Sequence, residues 1–232
     1  VPANLKKMQE VNSVATAFNT NVDAVLKVKG SKIAELAGKL NMSLNDLNDI
    51  QRTKLDEPSD VLKGLFRCFK RGIAEEWLTE DKLVYDWMVD NLGYDRLQMG
   101  GQGGIVANAL AVTGVKKVYA HTNSLPELQA NQFLKLDNLL SFDAAGEETP
   151  AHKINRETDI PLIHWILEFD KGDKVELDGE TFVCPKSNRF IATYDPLNLH
   201  LVMDEHFVRK MSGEKVDYVV LSGFHALTER NN

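Results

Sequence analysis

Hydrophobic and polar positions follow two rhythms along this chain. Between Lys32 and Leu92 apolar residues recur every third or fourth position. Ile33, Leu36, Ala37 and Leu40 share one face, and Val61, Leu62, Leu65, Phe66 and Phe69 share another, which predicts helices. Ser43-Leu44-Asn45-Asp46 and Pro58-Ser59-Asp60 supply the starts, because short polar side chains satisfy the free N–H groups of a first helical turn. Further helical patterns cover residues 5–11, 81–92, the stretch from the glycines near 100 to Thr113, 128–140 and 202–211. Short apolar runs at 13–18, 24–29, 97–99, 116–121, 160–169, 174–183, 190–194 and 216–223 predict strands, the last of them a buried parallel one. Residues 143–158 read as a polar, acidic loop. Strand, helix and strand between Leu97 and His121 read as a right-handed βαβ unit, which places the chain in the α/β class. The three consecutive strands from Ile160 to Tyr194 break that rhythm and predict a separate small sheet, with Asp170-Lys171-Gly172-Asp173 as a hairpin turn.

The chain is organised around Leu97-Gln98-Met99-Gly100-Gly101-Gln102-Gly103-Gly104, where an apolar run enters a helix through glycines. Glycine accepts positive φ and brings backbone N–H groups close to a ligand, and the following helix turns its positive end to the same place. Such a turn suits a polar or anionic small molecule, or it is a plain connector. Its spacing matches neither the dinucleotide fingerprint nor the P-loop. Asn19, Asn21 and Asp23 follow the strand at 13–18, beyond the carboxyl end where open α/β sheets bind ligands. They read as hydrogen-bonding groups for a polyol or as an Asx turn. Glu75-Glu76-Trp77 reads as a solvated turn or as a carboxylate that accepts from a sugar. His164 stands inside an apolar strand, as a core residue or as a donor to a ligand. Lys171, Lys174, Lys186 and Arg189 gather near turns, either for solubility or as the local positive charge that a phosphorylated ligand needs.

Composition narrows the field. With 232 residues, 43% of them hydrophobic, the chain suffices for one large domain or for a domain with a smaller companion. The formal charge of -7 argues against a nucleic-acid surface. Cys68 and Cys184 fit no zinc spacing and read as ordinary thiols in a reducing compartment. No stretch reads as a membrane span or secretory leader, which predicts a cytoplasmic protein without a membrane partner.

Taken as an ordered set, Asn19-Thr20-Asn21-Val22-Asp23, Met99 to Gly104, His164 within Ile163-His164-Trp165-Ile166-Leu167-Glu168-Phe169, Ser187-Asn188-Arg189-Phe190-Ile191 and Leu221-Ser222-Gly223 resemble the ADP-dependent sugar kinases. These are the archaeal phosphofructokinases and glucokinases of the ribokinase-like superfamily. The resemblance covers nearly the whole chain. It implies a three-layer α/β/α large domain with a smaller sheet-based lid. Residues 1–18, 100–158 and 196–232 would form the large domain, 19–99 mainly the lid with a helical insertion, and 159–195 the lid strands. A sugar or sugar phosphate would bind between them, with ADP as phosphoryl donor and Mg2+ as cofactor.

Carried over by position, Asn21 and Asp23 would hydrogen-bond sugar hydroxyls, with Gly100, Gly101 and Gln102 as another wall. His164 would reach the sugar from a lid strand, and Glu75 or Glu76 would be a carboxylate associated with glucose recognition. Lys171 and Arg189 would meet the sugar phosphate or the nucleotide phosphates, two roles that stay open for Arg189. The family's catalytic aspartate lies in a Gly-Ala-Gly-Asp turn, and this chain has none; Ala144-Ala145-Gly146-Glu147 follows a helical pattern where the family's turn precedes one. The 232 residues are therefore expected to correspond to the first half of such an enzyme. The general base, most of the nucleotide site and the magnesium ligands would lie beyond residue 232, and this segment alone would be inactive. The leading expectation is a phosphofructokinase that makes fructose 1,6-bisphosphate and AMP, with glucose as a second acceptor. A glucokinase or a non-catalytic sugar-binding module are the alternatives.

Overall fold

A computed structural model describes residues 3–224. Its helices are α1 (Ala3–Met8), α2 (Gly30–Lys39), α3 (Leu44–Asn48), α4 (Pro58–Arg71), α5 (Lys82–Asn91), α6 (Gln102–Val112), α7 (Glu127–Ala130) and α8 (Glu205–Gly213). The strands are β1 (Ser13–Phe18), β2 (Asn21–Lys27), β3 (Glu75–Thr79), β4 (Arg96–Gly100), β5 (Lys117–Ala120), β6 (Leu139–Phe142), β7 (Glu148–Pro150), β8 (Ile163–Phe169), β9 (Lys174–Leu177), β10 (Glu180–Val183), β11 (Asn188–Tyr194) and β12 (Tyr218–Ser222). They form two compact units. The first comprises the chain up to Val22, Gln98–Leu162 and the chain from Pro196; the second comprises Asp23–Leu97 and Ile163–Asp195. Residues 225–232 of the expected large domain lie outside the described residues.

The first unit is built on a sheet ordered β12-β1-β5-β6-β7. Its strand β1 is flanked by parallel neighbours, with Val14 opposite Tyr218 on one side and Val118 on the other. Alternation then sends Val14 to one core, shared with Ala107 and Ala111 of α6, and Ala15 and Ala17 to a second core, shared with Phe207 of α8. Helices thus cover both faces, the three-layer arrangement expected for a parallel sheet. Glycine and alanine at 103, 104, 107 and 111 give α6 a low-profile face.

Several sequence expectations are corrected in this unit. The β4-α6-β5 segment is no βαβ unit of one sheet: β4 belongs to the other sheet, while β5 pairs with β1. Local spacing shows that two strands flank a helix but carries no information on which sheet each joins. The helix expected over 128–140 stops at Ala130, and Leu139–Phe142 is a fully buried strand parallel to β5. Asn138 enforces the change, since its Nδ2 donates to the carbonyls of Ala111 at 3.1 Å and Val115 at 2.7 Å, while its own carbonyl accepts from Val118 at 2.8 Å. The loop at 143–158 contains β7, antiparallel to β6. Helix α8 begins at Glu205, where Asp204 caps it by accepting from the Phe207 N–H at 2.8 Å. Strand β12 is not buried as its composition predicts: Tyr218, Val219 and Leu221 are more than half exposed, because its partner among the described strands lies on one edge only.

In the second unit a sheet ordered β3-β11-β8-β2-β4 is covered by helices on one face. Helix α4 starts with a capping box between Glu57 and Asp60 and ends at Gly72, whose φ of 63° is the left-handed value that stops a helix. Its buried stripe, Val61, Leu62, Leu65, Phe66 and Phe69, meets the sheet through edge-to-face ring pairs such as Phe69 with Phe169. Gly64 is required there, for a Cβ would come within 2.4 Å of the Phe190 ring. Along β8 the buried residues Trp165, Leu167 and Phe169 alternate with the half-buried His164, Ile166 and Glu168, so one face is core and the other is open.

Two turn assignments change. The expected strand at 174–183 is a tight hairpin of β9 and β10, turned by Asp178 and Gly179, both at positive φ. Asp170-Lys171-Gly172-Asp173 is a longer corner: β8 pairs with β11 and not with β9. Lys27 holds Asp170 and Lys29 holds Asp173 at this corner.

Candidate functional site

The sequence-predicted residues divide between the units. In the first unit Asn19, directly after β1, organises the glycine turn. Its carbonyl accepts from the Gly103 N–H at 3.0 Å and its Oδ1 from the Gln102 N–H at 3.1 Å. These are the first N–H groups of α6, so the helix start expected to receive an anion is already capped by a residue from another segment. The glycines serve this approach. A Cβ on Gly101, whose φ is 72°, would stand 2.5 Å from the Asn19 carbonyl oxygen, and one on Gly223, at φ 95°, would stand 2.4 Å from its Oδ1. The Oε1 of Gln102 accepts from the Ser222 hydroxyl. Asn21, Gly101, Gln102, Ser222 and Gly223 therefore gather around Asn19, with Gly100 buried at the end of β4.

A polar layer that no motif indicated lies at the same strand ends. His121 is fully buried, with Nδ1 2.7 Å from the Phe18 carbonyl and Nε2 2.9 Å from the Asp204 N–H. That pairing requires the neutral ring with its proton on Nδ1. Burial lowers the His121 pKa, and the nearby Arg156 adds to this against the Phe18 hydrogen bond and Asp204. Arg156, itself buried, donates to the carbonyls of Phe142 and Thr122 and pairs with Asp204 at 3.1 Å. The cap pattern at Asp204 was the available signal for this layer; nothing local pointed to Arg156.

In the second unit the open sheet face carries most of the predicted polar groups. Glu76 on β3, Arg189 and Thr193 on β11 and His164 on β8 share this face by register, since Ile191 pairs with Glu76, and Thr193 with His164. Thr193 donates to Glu76 Oε1 at 2.6 Å, and His164 Nε2 lies 3.2 Å from Asp195 Oδ2. Burial opposes charge on His164, but the Asp195 hydrogen bond, reinforced by the carboxylates of Asp195, Glu76 and Asp23, outweighs it and raises the pKa. Glu75 is separated from this group. It pairs with Phe190 on the helix-covered face, where both its oxygens accept from Arg67 Nε, at 2.9 and 3.1 Å, and one accepts from Trp77 Nε1 at 3.0 Å. The expected solvated turn is thus strand β3, and period two sends its adjacent carboxylates to opposite sides. Arg189 is exposed beside Glu168, and Lys171 is exposed at the corner after β8, its N–H donating to Ser187 Oγ at 2.8 Å.

Comparison with known proteins decides the family. Residues 12–232 match the ADP-specific Phosphofructokinase/Glucokinase conserved region. The chain belongs to this family. An ADP-specific phosphofructokinase of Methanosarcina acetivorans is 29% identical over 94% of this chain and 46% of its own length. An ADP-dependent glucose/glucosamine kinase of Pyrococcus abyssi is 32% identical over 97% of this chain and 49% of its own length. Among solved structures, a hypothetical ADP-dependent phosphofructokinase from Pyrococcus horikoshii OT3 superposes with a TM-score of 0.79 at 28% identity, covering 94% of this chain and 50% of that one. An ADP-dependent kinase complex with fructose-6-phosphate and ADPbetaS superposes at 0.72 and 28% identity, covering 97% of this chain and 44% of that one. This member of the phosphofructokinase/glucokinase family has the ribokinase-like α/β fold and spans about half the length of the relatives it matches.

The remaining chemistry of this family member is restricted. The Cys68 thiol is pushed up to about 12, chiefly by burial, and burial also raises that of Cys184, so neither is an activated nucleophile. Among the described residues no three His, Cys, Asp or Glu side chains converge to hold a cation, and no helix is long and apolar enough to cross a membrane.

Proposed function

We propose that this chain supplies the sugar-binding groups of an ADP-dependent sugar kinase, with fructose 6-phosphate and glucose as the acceptors to test. The observation that carries this reading is the open face of the second unit. It sets Glu76 and His164 on the two sides of β11, with Thr193 between them, Asp23 acting on the same imidazole and Arg189 further along β11. Ionised carboxylates accept from paired hydroxyls, and an arginine holds a phosphate through charge-assisted hydrogen bonds. In this assignment Asp23 and Glu76 accept from the sugar, His164 contacts it, and Lys171 and Arg189 hold a phosphate, on the sugar or on ADP. Glu75, which accepts from Arg67 and Trp77 on the packed face, is structural.

The acceptor is set by two opposed features. Glu76 favours glucose, as a carboxylate free to face a neutral polyol, whereas Lys171 and Arg189 favour a phosphorylated sugar. Relatives carrying both names match the chain. ADP as donor follows the names of those relatives. Magnesium would supply charge neutralisation on the transferred phosphoryl group. Among the described residues no three His, Cys, Asp or Glu side chains converge to hold it.

The deciding experiment is AMP release from ADP by the full-length protein containing this chain, with fructose 6-phosphate and glucose offered separately. Turnover on either is expected. Turnover on neither overturns the reading.

A further inference from the structure

We propose that Asp195 is a positioning residue for His164: it fixes Nε2 as the protonated ring nitrogen and leaves Nδ1 as the atom whose protonation decides how the imidazole meets a ligand. Asp195 follows β11 directly, one residue past the pairing of Tyr194 with Ile163, and so stands beside His164 on the neighbouring strand. It is 2% exposed. A carboxylate so buried needs a donor, and His164 Nε2 at 3.2 Å is placed to be one.

The groups that act on His164 are Asp195 beyond β11, Glu76 on β3 and Asp23 on β2, and all are carboxylates. An ionised carboxylate can only accept, so the pair with Asp195 keeps hydrogen on Nε2 in both charge states. Protonation and deprotonation therefore occur at Nδ1. Below the imidazole's pKa in the protein Nδ1–H donates; above it the bare nitrogen accepts. An anionic sugar phosphate gains from the charged donor form, while a neutral sugar hydroxyl can either donate or accept and is less sensitive. The consequence for sugars rests on the function proposed above; the ring's protonation pattern does not.

The test uses the protein with isotope-labelled histidines, whose nitrogen shifts report tautomer and titration midpoint. His164 is expected to carry its neutral-state proton on Nε2, with a midpoint above that of an ordinary histidine. Asp195→Asn, which keeps the shape and removes the charge, is expected to lower that midpoint and release the tautomer. Thr193→Val, which strips the donor from Glu76, leaves the tautomer in place. A wild-type ring protonated on Nδ1, or a midpoint unmoved in Asp195→Asn, overturns the proposal. Should Asp195→Asn fail to fold, the wild-type tautomer alone still decides.

Binding supplies the second readout. Fructose 6-phosphate affinity is expected to fall about tenfold between pH 6 and pH 8 in the wild type, with a flatter profile in Asp195→Asn. An equal loss at every pH would mark Asp195 as merely structural and overturn the proposal. No sugar binding at all by the full-length wild type would instead remove the kinase reading, leaving the nitrogen shifts to judge Asp195.

Discussion

Asn19 shows how one side chain can serve the fold from a position where a ligand contact was expected. Its side-chain Oδ1 takes the Gln102 N–H and its backbone carbonyl the Gly103 N–H, the first two N–H groups of α6, a helix that begins 83 positions later in the chain. Helix caps are ordinarily read within a few residues of the helix start, and this one is not local, so spacing could identify the glycine turn but not its partner. Asn19→Ala should destabilise the protein by about 1–2 kcal/mol, the usual loss for a removed cap, measured as a shift of the denaturant midpoint at constant slope. An unchanged midpoint would return Asn19 to the role of an unoccupied ligand contact. His121, buried, and His164, half-buried, differ in a similarly concealed way. His121 is held neutral and its pKa is depressed, so its contribution to stability is present above the ordinary histidine value and is lost as pH falls through the folded value. His164 is raised, so its contribution is present below the ordinary value and is lost as pH rises through the folded one. Chemical unfolding of His121→Asn against wild type should therefore show the acid-side loss of stability in the wild type and a shallower one in the variant.

At the scale of elements, the helices of the second unit were legible because capping residues and apolar stripes occur together, as at Pro58-Ser59-Asp60 and the α4 stripe. Strand β3 was hidden because five residues between helical segments are too few for a period to show. Once it is a strand, alternation sends Glu75 and Glu76 to opposite faces. Glu75 satisfies Arg67 and Trp77 on the packed side, while Glu76 meets Thr193 on the open side. Glu75→Ala should cost about 1–3 kcal/mol of stability, from donors left without their acceptor, and leave the preference between sugars unchanged. Glu76→Ala should cost less, about 0.5–1.5 kcal/mol for its one hydrogen bond from Thr193, and reduce glucose turnover by the full-length protein more than fructose 6-phosphate turnover. Exchange of those two outcomes would place the recognition carboxylate at Glu75. The misread helix over 128–140 has the opposite cause: its leucines fit a helical face, and the tertiary hydrogen bonds of Asn138 override that pattern.

For the whole molecule, the α/β class and most candidate residues could be read from the sequence, since strands, glycine turns and isolated polar residues leave local marks. Sheet membership could not, because β4 and β5 look alike along the chain and differ only in which distant strand pairs with them. The same distinction governs what this chain can be expected to do. Phosphoryl transfer depends on positioning plus stabilisation of charge on the moving group, and both need donors, a base and a cation around one phosphorus. The 232 residues contain no Gly-Ala-Gly-Asp turn, and those described offer no cation cluster, whereas the carboxylate of Glu76 and the imidazole of His164 are present on one sheet face. The 232-residue protein should accordingly bind fructose 6-phosphate or glucose in a calorimeter and release no AMP from ADP. A longer protein carrying this chain with a counterpart of the relatives' remaining half should do both. AMP release by the 232-residue protein at a rate matching the longer one would require a base among these residues, and Asp195 with His164 would be the first pair to substitute. Binding of neither sugar by either protein would remove the open face as the recognition surface, because its polar groups would then be balanced by one another and have no ligand to meet.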